Sequence, residues 1–303
     1  MDDLQLREME TFAKDLSRRA GGILLEHFQK PIGVEYKSKD QTNPVTDADK
    51  RSEEFLKEAI LKEYPTHGLL AEEGSQVESQ SSDFTWVIDP LDGTVNFLNG
   101  LPIFAVSVGV LYKGEPVVGC IHIPSHHGPQ GSVFHARKGG GAYRDDEAIT
   151  VSQDPSPKKG RITVFPAFWV RTFRMKRELR SRLGEIRSLG SVAYELAMTA
   201  SGVIQYSFFG SPWIWDVAAG IVLVKEAQGM ALSRRRNVQN AEWKSFQDFS
   251  GPEGNGLGPE ELKEWRSAWV FGGPQIAEYV TTRMESRSRL ELKVSRWLGR
   301  WFW

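Results

Sequence analysis

The chain has 303 residues, 40% hydrophobic and 25% charged, with a formal net charge of -1. That balance suits one large or two smaller globular domains and argues against a global attraction to nucleic acid. A single cysteine, Cys120, excludes an intrachain disulfide and argues against a cysteine-based zinc site, and no apolar run reaches the roughly 18 residues of a membrane span. The opening Met1-Asp2-Asp3-Leu4 is acidic and lacks an apolar signal core, so a cytoplasmic protein is expected.

In chain order, Leu6, Met9, Ala13, Leu16, Ala20, Ile23 and Leu24 recur at helical spacing and predict a helix over residues 3–29, broken by Pro31-Ile32-Gly33. Val34 to Ser38 reads as a short strand. A polar loop with Lys37, Lys39 and Asp40 follows and suits solvent. Thr46 caps a second helix, with Asp47 and Asp49 in its first turn, where the helix dipole favours acids. Leu69-Leu70-Ala71 is a short apolar strand crowned by Glu72-Glu73-Gly74.

Trp86-Val87-Ile88 reads as a buried strand ending at Asp89-Pro90, with Asp92-Gly93-Thr94 just beyond. Carboxylates at the end of a buried strand are costly unless a cation sits between them, and hard divalent cations choose such oxygens. An Asp-Gly turn explains the same residues equally well.

Phe104–Leu111 and Val117–Ile123 form a predicted antiparallel hairpin through Lys113-Gly114. His126-His127 suits an exposed loop better than a metal site. Gly139-Gly140-Gly141 lacks the strand–GxGxxG–helix context of a nucleotide loop. Composition shifts at Gln153–Gly160, dividing the chain into a half over 1–152 and a half over 153–280. Arg171–Leu183 is predicted as a basic helix with a solvated face. Gly190-Ser191-Val192 opens a further helix, whose first N–H groups suit an anion or a sugar hydroxyl. Asp216 begins an apolar helix over Val217–Ala227 and is either a cap or a ligand. Trp269-Val270-Phe271 is the last strand, before a helix from Pro274.

Taken together, Glu72-Glu73, Asp89-Pro90-Leu91-Asp92-Gly93-Thr94 and Trp215-Asp216, with Asp47 upstream, resemble the inositol monophosphatase family of magnesium-dependent, lithium-sensitive phosphatases. The resemblance covers about residues 1–280. It implies a layered αβαβα sandwich of the inositol monophosphatase and fructose-1,6-bisphosphatase type, a homodimer, and two or three magnesium ions per site. By resemblance, Glu72 binds the first ion, Asp89 bridges two, Leu91 offers its carbonyl, and Asp92 and Asp216 hold the second. Thr94 with Asp47 orients and deprotonates the attacking water, and Glu73 supports the ligands from behind. Asp92 and the N–H groups of Gly93 and Thr94 face the phosphate, and Gly190, Ser191 and Val192 contact the polyol.

The implied activity is hydrolysis of a small polyol or sugar monophosphate by direct attack of metal-activated water, with no covalent intermediate. Asn96-Phe97 matches the inositol and sugar branch, whereas the nucleotide 3′-phosphatase branch more often has Lys-Glu there. Two departures stand out. Phe209 replaces the family's inositol-binding glutamate, and Ala71 replaces the usual glycine before Glu-Glu. The first puts myo-inositol 1-phosphate in doubt and keeps two alternatives open, a 3′(2′),5′-bisphosphate nucleotidase and a fructose-1,6-bisphosphatase. A non-catalytic binding or scaffold protein that retains the fold is the alternative of another class. Residues 281–303 lie outside the resemblance. There Leu290, Val294, Trp297, Leu298 and Trp301 share a helical face among six arginines and lysines, which suits a docked helix first and a weak membrane-surface contact over 283–303 second.

Overall fold

A computed structural model describes residues 2–36, 44–79, 82–124, 128, 130–166, 173–235, 241–249 and 257–286. The His126-His127 loop and the amphipathic segment after residue 286 lie outside the described residues.

Period-two alternation splits the strands between two cores. Leu69 and Trp86 point to one face of their sheet, and Leu70 and Val87 to the other. This sheet has eight strands in the order Glu147–Ala148, Ala142–Arg144, Ser132–Arg137, Glu115–Ile123, Ala105–Tyr112, Phe84–Asp92, Gly68–Ala71, Gln76–Val77. All neighbours are antiparallel except Gly68–Ala71 beside Phe84–Asp92. The helices Asp3–His27 and Asp47–Glu63 cover its outer face, with Met9, Leu16, Leu24, Leu56 and Ile60 against Trp86, Ile88 and Val108. Fully burying such side chains contributes about 1.5–3 kcal/mol each.

The inner face packs on the helices Val192–Ala200 and Ile214–Glu226. Behind them lies a six-stranded sheet in the order Glu185–Arg187, Ile162–Val164, Tyr206–Phe209, Ser267–Gly272, Met230–Arg235, Lys244–Ser245. The helix Pro274–Thr281 closes the far face through Ile276, Ala277 and Val280. The chain is thus an αβαβα sandwich. Among the described residues no helix is long and apolar enough to cross a membrane.

Two local predictions give way to tertiary pairing. Residues 173–183 do not form one basic helix. Phe173–Met175 is a strand paired with Met284–Ser286, and only Arg177–Arg180 is helical. The apolar side chains of Phe173 and Met284 are covered by that pairing, which outweighs local helix propensity. The strand from Phe84 also does not stop at Asp89 but runs to Asp92. Its pairing shifts there. Asp89 faces Ser107 and Asp92 faces Ala105, so three steps on one strand oppose two on the other. This bulge has a consequence for chemistry. In a regular strand residues three apart point to opposite faces; the extra residue brings Asp89 and Asp92 to the same one.

Candidate active site

Three elements end at one place: the bulged end of Phe84–Asp92, the start of Val192–Ala200 and the start of Ile214–Glu226. One carboxylate oxygen each from Asp89, Asp92 and Asp216 lies within 4.8 Å of the others. Glu72 joins them from the neighbouring parallel strand, where Ala71 pairs with Ile88 and the Glu72 N–H donates to the Ile88 carbonyl at 3.3 Å.

The bonding of each acid differs. Asp92 Oδ2 accepts from the Ser191 hydroxyl at 2.6 Å and from the Ala193 N–H at 2.5 Å. The helix N-terminus thus supplies donors and a favourable dipole. Burial still pushes the Asp92 carboxyl up to about 6, against the pull of those bonds. Asp216 Oδ2 accepts from the Trp213 N–H at 2.7 Å, yet burial and the charges of Asp92 and Glu72 hold it well above the usual carboxylate range. Asp89 Oδ1 accepts from the Leu91 N–H at 3.0 Å, but Oδ2 is sealed from solvent and has no hydrogen-bond partner among the described residues. Burial, then the charges of Glu72, Asp92 and Asp216, push Asp89 far up. A buried carboxylate oxygen with no hydrogen-bond partner among the described residues, close to three other acids, matches what a divalent cation requires: hard oxygen ligands and uncompensated negative charge. The donor set fits such an ion.

The Gly93–Thr94 corner follows. Gly93 adopts φ 95°, and a Cβ there would lie 2.9 Å from the Ile103 carbonyl oxygen and 3.1 Å from Ser191 Cβ. Only glycine fits both the backbone and the space. The Thr94 hydroxyl reaches Asp49 Oδ1 at 3.2 Å and the Leu91 carbonyl at 3.1 Å. This corrects the sequence reading, which set Asp47 beside Thr94. Asp47 is exposed at the first helical position, and Asp49, two residues on, turns inward. There Asp49 Oδ2 receives the Thr46 N–H at 2.8 Å and the Thr46 hydroxyl, and burial raises its carboxyl above the ordinary value. The capping-box pattern Thr46-x-x-Asp49 was the available signal.

Other predicted residues take different tasks. Ser191 spends its hydroxyl on Asp92, and Gly190, at φ 83°, sits where a Cβ would crowd Asn96 at 3.1 Å. Val192 begins the helix Val192–Ala200. The Glu73 N–H donates to Glu53 Oε2 at 2.7 Å, and Ser75 N–H to Glu53 Oε1 at 3.0 Å, so Glu53 holds the turn that carries Glu72. Sequence reasoning missed Glu53 and Glu195, and read Asn96 only as a mark of the inositol and sugar branch. Asn96 Nδ2 donates to the carbonyls of Ile103 and Leu189, both at 2.7 Å, tying the Gly93–Thr94 corner to the start of Val192–Ala200. Glu195 Oε1 accepts from the Leu189 N–H at 2.5 Å, and burial pushes its carboxyl up to about 8. Phe209 is buried against Phe271, at 5.9 Å between ring centroids.

The model of the inositol monophosphatase family matches residues 5–266. The chain belongs to this family. It is 35% identical over 230 residues to the fructose-1,6-bisphosphatase/inositol-1-monophosphatase of Aquifex aeolicus, covering 74% of this chain and 85% of that protein. It is 34% identical over 231 residues to the Nus factor SuhB of Pasteurella multocida, with the same coverages. The crystal structure of the extragenic suppressor protein suhB from Bartonella henselae superposes with a TM-score of 0.71 at 26% identity, over 91% of this chain and 98% of that one. Membership places the chain among metal-dependent phosphatases, and its acidic cluster is a group that could hold the metal.

Proposed function

We propose that this family member hydrolyses a phosphate monoester of a small polyol or sugar with magnesium, by direct attack of water. The observation that carries the reading is the donorless, buried Asp89 Oδ2 among Glu72, Asp92 and Asp216. A role that used no metal ion would leave that costly arrangement uncompensated.

Glu72, Asp89, Asp92 and Asp216, with the Leu91 carbonyl, would hold the ions. When bound, magnesium supplies the positive charge that lets these acids ionise together and that stabilises negative charge on phosphate oxygens. The chain's own groups do the rest. Thr94 is part-exposed while Asp49 behind it is buried, so Thr94 is the member of the pair that meets a water. Its oxygen can take a proton from that water as its own proton passes to Asp49, whose raised pKa makes it the stronger base. The N–H groups of Gly93 and Thr94 face the phosphate, and Asn96 keeps this corner fixed against the Val192–Ala200 helix. Such positioning and charge neutralisation is what phosphoryl transfer needs.

The test is phosphate release from a panel of polyol, sugar and nucleotide monoesters with magnesium, with and without chelator and lithium. Release that requires magnesium and favours polyol or sugar esters is the expected result. No release from any ester, or release unaffected by chelator, would overturn the reading.

A further inference from the structure

Asp92 takes its direction from the start of the helix Val192–Ala200, and two side chains hold the turn that leads into it. The Ser191 hydroxyl, which meets Asp92 Oδ2 at 2.6 Å, also accepts from the Tyr194 N–H at 3.3 Å, so one buried cap serves both the helix and the acid. The place of that hydroxyl is set by the two residues before it, Leu189 and Gly190. Leu189 is gripped at both of its backbone polar groups. Its N–H donates to Glu195 Oε1 at 2.5 Å, and its carbonyl accepts from Asn96 Nδ2 at 2.7 Å. The Gly190 N–H draws the Glu195 carboxyl in the same sense. Gly190 then turns at φ 83°, close enough to Asn96 that a Cβ would lie 3.1 Å from its Nδ2.

Glu195 is an expensive choice for its place. It is 4% exposed, on a helix whose other buried side chains are mostly alanine, leucine and methionine. Burial pushes its carboxyl up to about 8, so at neutral pH it sits in the core as a neutral acid. Burying such a polar group costs stability that an apolar side chain would not. What the carboxyl secures in return is the turn, and the turn leads to Asp92.

We propose that Glu195 is a positioning residue for the metal cluster: with Asn96 it fixes the Leu189–Gly190 turn, and through that turn the Ser191 hydroxyl and the Ala193 N–H that aim Asp92. This rests on the metal-dependent reading above and adds to it a residue that touches neither ion nor substrate. Asn96 belongs to the helix Thr94–Leu98, so the same turn also spaces the Gly93–Thr94 corner from the start of Val192–Ala200. One peptide, that of Leu189, links the two sides of the site.

The test is magnesium binding by the full chain, followed by titration calorimetry well below its melting temperature, beside turnover of the ester panel. Glu195→Met keeps the length of the side chain and removes the acceptor. It is expected to weaken the magnesium Kd by about tenfold, the lower end for losing a group behind a metal ligand. Glu195→Gln keeps an accepting oxygen and should restore most of that affinity. Glu195→Asp, one methylene short of the Leu189 N–H, should bind as weakly as Glu195→Met and replaces it if that variant does not fold. Asn96→Ala frees the other end of the same peptide. The double variant Glu195→Met/Asn96→Ala should therefore lose less than the two single losses multiplied together, as for residues that share a partner. A side chain that only fills the core would move the melting temperature and leave Kd unchanged. A wild-type Kd in Glu195→Met or Glu195→Asp overturns the proposal while the phosphatase reading stands, and so does a double variant whose losses multiply in full. A wild type that shows this pattern of binding but hydrolyses no ester strikes the phosphatase reading and supports the positioning role. A wild type that binds no magnesium overturns both.

Discussion

Two buried acids lie against the eight-stranded sheet, Glu10 on one face and Asp89 at the acidic cluster, and their surroundings are opposites. At Glu10, burial alone would raise the carboxyl, but His135 Nδ1 at 2.6 Å and Arg137 Nη1 at 3.1 Å hold it below the usual range. Arg137 also reaches Asp3 at 3.1 Å, and His135 Nε2 faces the Asp145 carbonyl at 2.7 Å. Both oxygens of Glu10 have their partners. At Asp89 the charges of Glu72, Asp92 and Asp216 add to burial and raise the carboxyl, and Oδ2 has no hydrogen-bond partner among the described residues. Both acids are buried, so burial does not separate a structural site from a functional one. The sign of what surrounds the acid does. A carboxylate closed by an arginine and a histidine ring nitrogen holds helix Asp3–His27 to the sheet; one crowded by acids leaves room for an ion.

The sharpest break of this comparison swaps one acid in each group. Asp92→Asn is expected to lower phosphatase turnover by about 10³-fold or more, the scale of losing a preorganised electrostatic group. The same change relieves repulsion, so the metal-free protein should melt no lower than wild type. Glu10→Gln should do the reverse. Leaving Arg137 and His135 without their carboxylate costs about 3 kcal/mol in stability, as for other broken buried pairs. Turnover and calorimetry on the two variants check both halves. An Asp92→Asn protein with normal turnover would mean the acidic cluster is misread.

The Thr94 partner is the next largest effect. Asp49→Asn should cost about 10²-fold in kcat, typical of a lost proton acceptor. Asp47→Asn, at an exposed position, should stay within about twofold. Kinetics on the pair decide between the two acids. A larger loss at Asp47 would return the role to that residue.

A binding measurement separates the two groups without any substrate. Magnesium should raise the melting temperature of the wild type and of Glu10→Gln, but not that of Asp89→Asn. A ligand at a hundred times its Kd stabilises by about 2.7 kcal/mol, which is easily seen by scanning calorimetry.

How far these features were legible in the chain depends on the distance over which they are decided. The long first helix, the cap at Thr46, the helix opening at Gly190–Val192, and the acids after Ala71 and Ile88 are local patterns, and local rules found them. Asp47 and Asp49 are two acids in one helical turn. Composition cannot say which turns inward; the hydrogen bond from Thr94, far along the chain, does. The bulge at Asp89–Asp92 is set by pairing with Ser107 and Ala105, so the strand end was placed too early. The strand Phe173–Met175 exists because Met284–Ser286 lies beside it, and a window around residue 173 holds only a basic, helix-compatible pattern. Glu195 and Asn96 meet at Leu189 only after two halves of the chain have packed.

Glu195 supplies the finest test, because it and Glu10 are both buried glutamates with opposite shifts. Burial pushes Glu195 from its ordinary 4.5 up to about 8. In the folded protein it holds a proton that the unfolded chain releases at lower pH. Its contribution to stability is therefore full below about 4.5 and is lost as the pH rises through about 8. Glu10 is shifted down, so its contribution is present above its ordinary value and lost as the pH falls through its lower folded value. The two residues tilt opposite limbs of one stability profile. Melting temperatures between pH 3 and 9 should show Glu195→Gln flattening the alkaline limb alone and Glu10→Gln flattening the acid limb alone. If Glu195→Gln kept the wild-type alkaline slope, Glu195 would be ionised in the fold, with some nearby positive charge doing for it what Arg137 and His135 do for Glu10.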